Sequence, residues 1–500
     1  MRDGSVDVVV VGAGSAGAVV ARRLIDDGAA SVLLLEAGGP DENPAIHDPG
    51  RLHELWLSEV DWAYETLQQP NAAGRRLAWP RGRVLGGSSC LNAMIWVRGA
   101  PADFDTWAYL GADGWSWDDV RPVYERIERR APGGSGIVSL LTSFEPDAIH
   151  VSIAEAAQEC GIPLNADYNG ASQDGVSFMQ YSIENGVRHS TAAAYIRPVE
   201  AHASLDLRTG AVARRLLFDG TRCVGVEWSK DGRIEHTRAQ QVVVCGGTIG
   251  SAQLLLLSGI GPADHLRSLE IDVVAELPGV GENLHDHLLS PVIFSAEREV
   301  GPPSPGLPAC QSHLFWRSRP GLPVPDIQPI HFMVPMYEPW MEGPENGFTL
   351  LGGMVRPLSR GRLRLTGREP EDPVAIDPNV LACEADLESL VAAVELCRRI
   401  GAADALRGWG VTEQYPGSAR DDIRGYVCET AITYHHQVGT CKLGTDPAAV
   451  VDPRLRVHGV EGLRVADASV MPMVTTGNTN APSIMIGERA AEFLLADARA

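Results

Sequence analysis

The chain has almost no lysine: Lys230 and Lys442 are the two among 500 residues. Its other fixed cations are arginines, and acids outnumber the cations, for a formal charge of −22. Nucleic acids and anionic membrane surfaces both demand basic patches, so neither partner is expected. Long apolar runs are also missing. A membrane helix needs roughly 18 such residues, whereas Leu254–Leu257 is cut off at once by Ser258-Gly259. The N-terminal apolar run Val8–Val11 leads into glycines rather than a cleavage site, so no signal peptide is expected and the chain reads as cytoplasmic. Nine cysteines stand singly, with no C-x-x-C pair. Neither a disulfide framework nor a zinc site is expected, and no metal is assigned.

What is present begins at the N-terminus. Val6–Val11 reads as a buried parallel strand, Ala16–Ile25 has helical spacing, and Ser31–Glu36 reads as a second strand. Between strand and helix lies Gly12-Ala-Gly14-Ser-Ala-Gly17. Gly12 permits the tight turn, Gly14 lets a diphosphate reach backbone N–H groups at the helix start, and Gly17 allows close packing. Glu36 ends the second strand, where a carboxylate accepts ribose hydroxyls and disfavours a 2′-phosphate. The expected ligand is therefore FAD or NAD.

Farther on, Leu205–Leu207, Ala211–Leu217 and Cys223–Trp228 read as a three-strand meander with Asp219-Gly220 as a turn signal. Gln241–Cys245 reads as a buried strand followed by a helix to Leu257. Residues 300–325 hold seven prolines and read as a linker or extended loop. Strands are expected at Ile327–Pro335, Phe348–Arg356 and Arg362–Leu365, and a helix at Glu384–Ile400.

Three further stretches carry chemistry. Arg81–Trp96 contains Gly86, Gly87, Ser88, Ser89 and Asn92: a second loop able to approach an anion. Tyr434–Thr440 contains His436, and Gly477–Pro482 contains Asn478. A neutral imidazole can take a hydroxyl proton, and an amide N–H can stabilise the alkoxide that develops. Asp467 ends a short strand and either bonds a sugar-alcohol chain or caps backbone amides.

Together these residues resemble the glucose–methanol–choline (GMC) family of FAD-dependent oxidoreductases. The resemblance covers nearly the whole chain: the fingerprint, the stretches 82–105 and 247–261, Pro278–Leu284, and the His/Asn region. It implies an α/β (α+β overall) architecture: a discontinuous Rossmann-like FAD domain (1–150, 195–300, 431–500), and a substrate domain (151–194, 301–430) with an antiparallel sheet flanked by helices. It implies ADP contacts at Gly12, Gly14, Ser15, Ala16, Gly17, Glu36 and Ala37. Contacts on the pyrophosphate and flavin side fall to Arg83, Gly87, Ser88, Asn92, Ala93 and Met94. Val212 corresponds to an adenine contact, and Asp467 and Ala468 to the ribityl side. Asn478 and Thr479 correspond to isoalloxazine neighbours.

By the same resemblance His436 is the catalytic base and Asn478 its partner. Leu91 stands where some members attach FAD through histidine, so non-covalent FAD is expected. The implied reaction is oxidation of an alcohol to an aldehyde or ketone. The flavin is reoxidised by O2 or a quinone-type acceptor. A small aromatic or furanic alcohol, or a sugar-like one, is the expected substrate, against a wall drawn from 50–65 and Gln328–Met336 that includes His331 and Met333. His435 either enters that pocket or is a structural partner. The alternatives are a lyase or photodecarboxylase on the same fold, an NAD-dependent dehydrogenase that would leave 82–99 and 434–480 without a role, and a non-catalytic flavin-binding partner protein.

Overall fold

A strand that is valine on both sides stays dry only between two layers, and Ser5–Val11 lies in that position. In the structure, a computed structural model describing residues 5–28, 30–131 and 133–499, it sits inside a seven-stranded sheet. The order is Leu205–Thr209, Val32–Glu36, Ser5–Val11, Arg233–Val244, Arg222–Lys230, Val212–Asp219, with Leu463–Val465 also beside Arg233–Val244. The first four strands run parallel, and the last two are added as antiparallel hairpins. Helix Gly17–Asp27 follows the first strand, and the C-terminal helix Asn480–Arg499 packs on it. A Cβ at Gly487 would stand 2.7 Å from the Ala16 carbonyl oxygen, so the two helices meet backbone to backbone.

The expected meander is corrected here. Leu205–Thr209 pairs with Val32–Glu36 on the far edge, not with Val212–Asp219. Gly210 (φ +65°) and Ala211 donate to the carbonyls of Gly38 and Glu36, which ties the turn to that edge. The third member of the meander is Arg233–Val244, joined through Asp231-Gly232.

The second seven-stranded sheet is antiparallel: Thr412–Tyr415, Leu288–Ser295, Gly347–Met354, Ile330–Phe332, Cys310–Phe315, Gly175–Phe178, with Ile432–Thr433 beside Leu288–Ser295. Helix Glu384–Gly401 covers one face. Leu288–Phe294, on the FAD-domain side of the expected boundary at 300, is buried in a strand of this second sheet. One expectation shifts. Within the proline-rich 300–325, Cys310–Phe315 is a fully buried strand, its pattern hidden by polar Gln311, Ser312 and His313.

Indoles stitch the layers together. Trp107 and Trp115 are buried and donate to the carbonyls of Met473 and Pro453, while Trp96 donates to Glu128. Each such residue contributes about 3–5 kcal/mol by the usual cost of its truncation to alanine. Among the described residues, no helix is long and apolar enough to cross a membrane.

Candidate active site

The chain turns after the first strand because Gly12 has φ +96° and a Cβ there would lie 2.4 Å from the Cys245 carbonyl oxygen. Gly17 packs as closely: its Cβ would meet the Gly12 oxygen at 1.9 Å. These contacts hold the start of Gly17–Asp27 against the sheet, with its free N–H groups facing outward. Glu36 accepts from Ala13 N at 3.0 Å and from Gly38 N at 2.8 Å. Burial pushes its carboxyl up to about 7, against the pull of those two N–H groups and Arg83. Each oxygen keeps a lone pair for a ribose hydroxyl.

The Arg81–Trp96 run comes to the same place. Gly86 donates to the Ala13 carbonyl at 2.9 Å, and a Cβ on Gly87 (φ +54°) would stand 2.7 Å from Gly14 Cα. Two glycine loops thus touch with no side chain between them. Ser88 Oγ receives Gly82 N at 3.1 Å, and Arg83 lies 4.8 Å over Trp62. On the other side, Asp467 accepts from Gly247 N (2.8 Å), Ser251 Oγ (2.5 Å) and Ser469 N (2.8 Å). It is a cap for two helix starts, and burial raises its pKa.

These walls enclose a cavity of about 1080 Å³ that runs from Val212 and Ser229 at one end to the second sheet at the other. There His436 and Asn478 meet, with Asn478 Nδ2 3.1 Å from His436 Nε2. Asn478 Oδ1 receives Gln328 Nε2 at 3.2 Å, and that nitrogen also lies 3.1 Å from His313 Nδ1. His436 Nδ1 faces His287 Nδ1 at 3.0 Å. With the amide donating, Nε2 of His436 carries no proton and Nδ1–H points to His287, a tautomer inferred from the network. His436 N donates to Asp286 Oδ1 at 2.8 Å, and its ring stacks on Tyr434 with centroids 4.6 Å apart. Burial, then His287, His435 and Arg81, pull the His436 pKa well below its usual value. Burial likewise takes His287 down to about 3 and pushes Asp286 up to about 6.

The cavity wall includes Gly12, Gly14, Ser15, Ala16, Glu36 and Ala37 from the fingerprint, and Arg83, Gly87, Ser88, Asn92 and Ala93 from the second loop. It also includes Val212, Asp467, Ala468, Asn478, Thr479, His435 and His436. Gly17 and Met94 lie behind it: Gly17 packs under the turn, and Met94 is fully buried beside Ile95 and Tyr181. His331 and Met333 do not line it either. Strand alternation turns Ile330 and Phe332 to the cavity and sends His331 to the opposite face, where it bonds Ser312 Oγ at 2.8 Å. Met333 packs in the main core, and Met336 reaches the wall instead.

Sequence reasoning passed over Asp286, His287 and His313, and it named Gln328 as a wall residue, not as a partner of Asn478. The adjacent His285-Asp286-His287 was a usable signal. His435 takes φ +66°, held by its N–H to Thr433 Oγ1 (2.8 Å) and by Arg81 donating to its carbonyl (2.8 Å). Its ring lies 4.9 Å from that of Trp56.

Two touching glycine loops, a carboxylate at a strand end and an imidazole–amide pair line one cavity, an arrangement that fits a dinucleotide-dependent oxidoreductase. The GMC oxidoreductase N-terminal model matches residues 6–289 and the C-terminal model residues 357–487, so the chain belongs to the GMC oxidoreductase family. FAD is its cofactor, and it is an oxidoreductase of the alcohol-acting class. It is 39% identical to an uncharacterized GMC-type oxidoreductase of Mycobacterium tuberculosis, over 98% of this chain and 99% of the relative. It is 40% identical to the mitochondrial choline dehydrogenase of Mus musculus, over 97% of this chain and 89% of that one. The crystal structure of pyridoxine 4-oxidase from Mesorbium loti superposes with TM-score 0.94 at 34% identity, covering 97% of this chain and 98% of that one.

Proposed function

We propose that the protein oxidises a small, neutral, flat primary alcohol of the heteroaromatic, aromatic or furanic kind to its aldehyde. The observation that carries this reading is the His436–Asn478 pair, held by its partners in the wall of the cofactor cavity. His436 Nε2 has a lone pair that Asn478 now occupies. A bound hydroxyl would take that place, give its proton to Nε2, and leave the amide N–H to hold the oxygen. Bound FAD supplies the hydride acceptor. His287, receiving the Nδ1 proton, keeps His436 in the tautomer the reaction needs.

Leu289, Ile330, Phe332, Met336, Leu351 and Ile432 give the cavity an apolar stretch of wall, and the charged group that acts on His436 from the same wall, Arg81, is a cation. That supports a neutral ring over a quaternary ammonium, the group its choline dehydrogenase relative is named for. Leu91 lines the cavity with no nucleophilic atom, which supports non-covalent FAD. Acid precipitation should then release the flavin into the supernatant.

Anaerobic bleaching of the flavin against benzylic, furanic, pyridine-methanol, choline and sugar alcohols tests the reading. Bleaching by the ring alcohols is the expected result, and the rate of recovery in air separates an oxidase from a dehydrogenase. Bleaching by choline alone would replace the substrate class. No bleaching by any alcohol would move the lyase or photodecarboxylase alternative to the front.

A further inference from the structure

Arg188 is 2% exposed, and among the described residues its hydrogen-bond acceptors are carbonyl and amide oxygens, none of them a carboxylate. Its Nε donates to the Ile46 carbonyl at 2.6 Å. Its Nη1 donates to the carbonyls of Ser89 (3.2 Å) and Asn92 (2.6 Å) and to Asn92 Oδ1 (2.7 Å). Its Nη2 has no hydrogen-bond partner among the described residues. Burial draws its pKa down to about 10, which still leaves a cation at neutral pH.

A buried charge without a counter-charge is costly, and neutral carbonyls only soften that cost. The acceptors are therefore informative. Ser89 and Asn92 belong to the glycine-rich loop, and Asn92 itself lines the FAD cavity. Asn92 Oδ1 receives both Arg188 and Met94 N (3.0 Å), so the amide orientation is fixed. Its NH2 group, which no protein acceptor takes among the described residues, is left for the cavity. The charge thus sits one side chain behind the cofactor wall. A merely structural clamp between the Ile46 turn and this loop needs hydrogen bonds, but it does not need an uncompensated charge.

We propose that Arg188 is a positioning residue with an electrostatic role: it orients the Asn92 amide toward FAD and supplies a fixed positive charge that favours the flavin ring whenever the ring becomes negative. The charge acts through Asn92 without touching the reacting atoms.

Sulfite provides a test that does not depend on turnover. It would add to flavin N5 as a nucleophile: the S–N bond forms as the C4a=N5 π bond opens, and that electron pair stays on the ring as negative charge, so no other oxidant or reductant is needed. The holoenzyme and the Arg188→Lys and Arg188→Met variants are titrated with sulfite, and loss of flavin absorbance is followed; thermal unfolding is measured alongside. The wild type should form the adduct. Arg188→Lys, which keeps the charge but not the fork of hydrogen bonds, should bind sulfite within about threefold of wild type. Arg188→Met should bind it at least about tenfold more weakly, the scale expected for an interaction with a charged group.

No adduct in the wild type, or equal affinities for wild type and Arg188→Met, would overturn the proposal. A lower unfolding temperature with unmoved sulfite affinity would reduce Arg188 to a clamp. Should Arg188→Met not retain flavin, Arg188→Lys decides: a tenfold weaker adduct there means that charge is not the operative property.

Discussion

Acid should loosen this fold well before its carboxylates are all protonated. His150, His287 and His313 are fully buried. Burial takes His150 down to about 4, and His287 and His313 down to about 3. In the unfolded chain each returns to the ordinary histidine value near 6.5. A folded pKa below the unfolded one means the unfolded state binds the extra proton. The stability these residues contribute is therefore full above about pH 6.5 and is lost as pH falls toward 3–4.

At pH 5 each of the three costs about 2 kcal/mol relative to pH 7.5, or roughly 6 together. Buried acids oppose them, Asp467 among them, its pKa raised by burial. Glu36, raised to about 7, and Asp286, raised to about 6, take up protons in the folded state and add stability as pH falls. At pH 5 they return about 2 and about 1 kcal/mol. The histidines win by roughly 2–3 kcal/mol, a large part of a typical stability of about 5–15. His285, His331 and His436, lowered in the same direction by burial, enlarge the loss. The assay is urea unfolding of the holoenzyme at pH 7.5 and 5.0, followed by tryptophan and flavin fluorescence together. Equal or greater stability at pH 5.0 would refute the reasoning. His150→Asn, remote from the cavity, should shrink the pH-dependent loss by about 2 kcal/mol whatever it does at pH 7.5.

Two further outcomes follow from the site. His436→Ala should slow anaerobic bleaching by the best alcohol about 10²–10⁴-fold while leaving the flavin bound, as stopped-flow absorbance would show; an unchanged rate would remove His436 as the base. Gly87→Ala puts a Cβ 2.7 Å from Gly14 Cα on a backbone with φ +54°, so the two loops must part. The purified variant should carry little or no flavin, read from its visible absorbance, whereas full occupancy would show that the loops need not touch.

The glycine fingerprint and its acid were legible in the chain because that pattern is local. A strand, three glycines, a helix and Glu36 fall within one short stretch, and steric need for the absence of Cβ is visible in the residue types themselves. His436 and Asn478 could be named from their motifs, yet nothing in the chain shows that they lie 3.1 Å apart with Gln328 and His287 behind them. The tertiary fold sets which face of Ile330–Phe332 turns to the cavity. A one-residue choice of register exchanges His331 for its neighbours, and neither alternative leaves a mark in so short a strand. It alone carried Leu205–Thr209 to the opposite edge of the sheet, since strand pairing is settled by partners far away in the chain. It also showed Arg188 beneath Asn92: a lone arginine in a sequence reads as surface, and only packing removes it from water and, among the described residues, from a carboxylate partner.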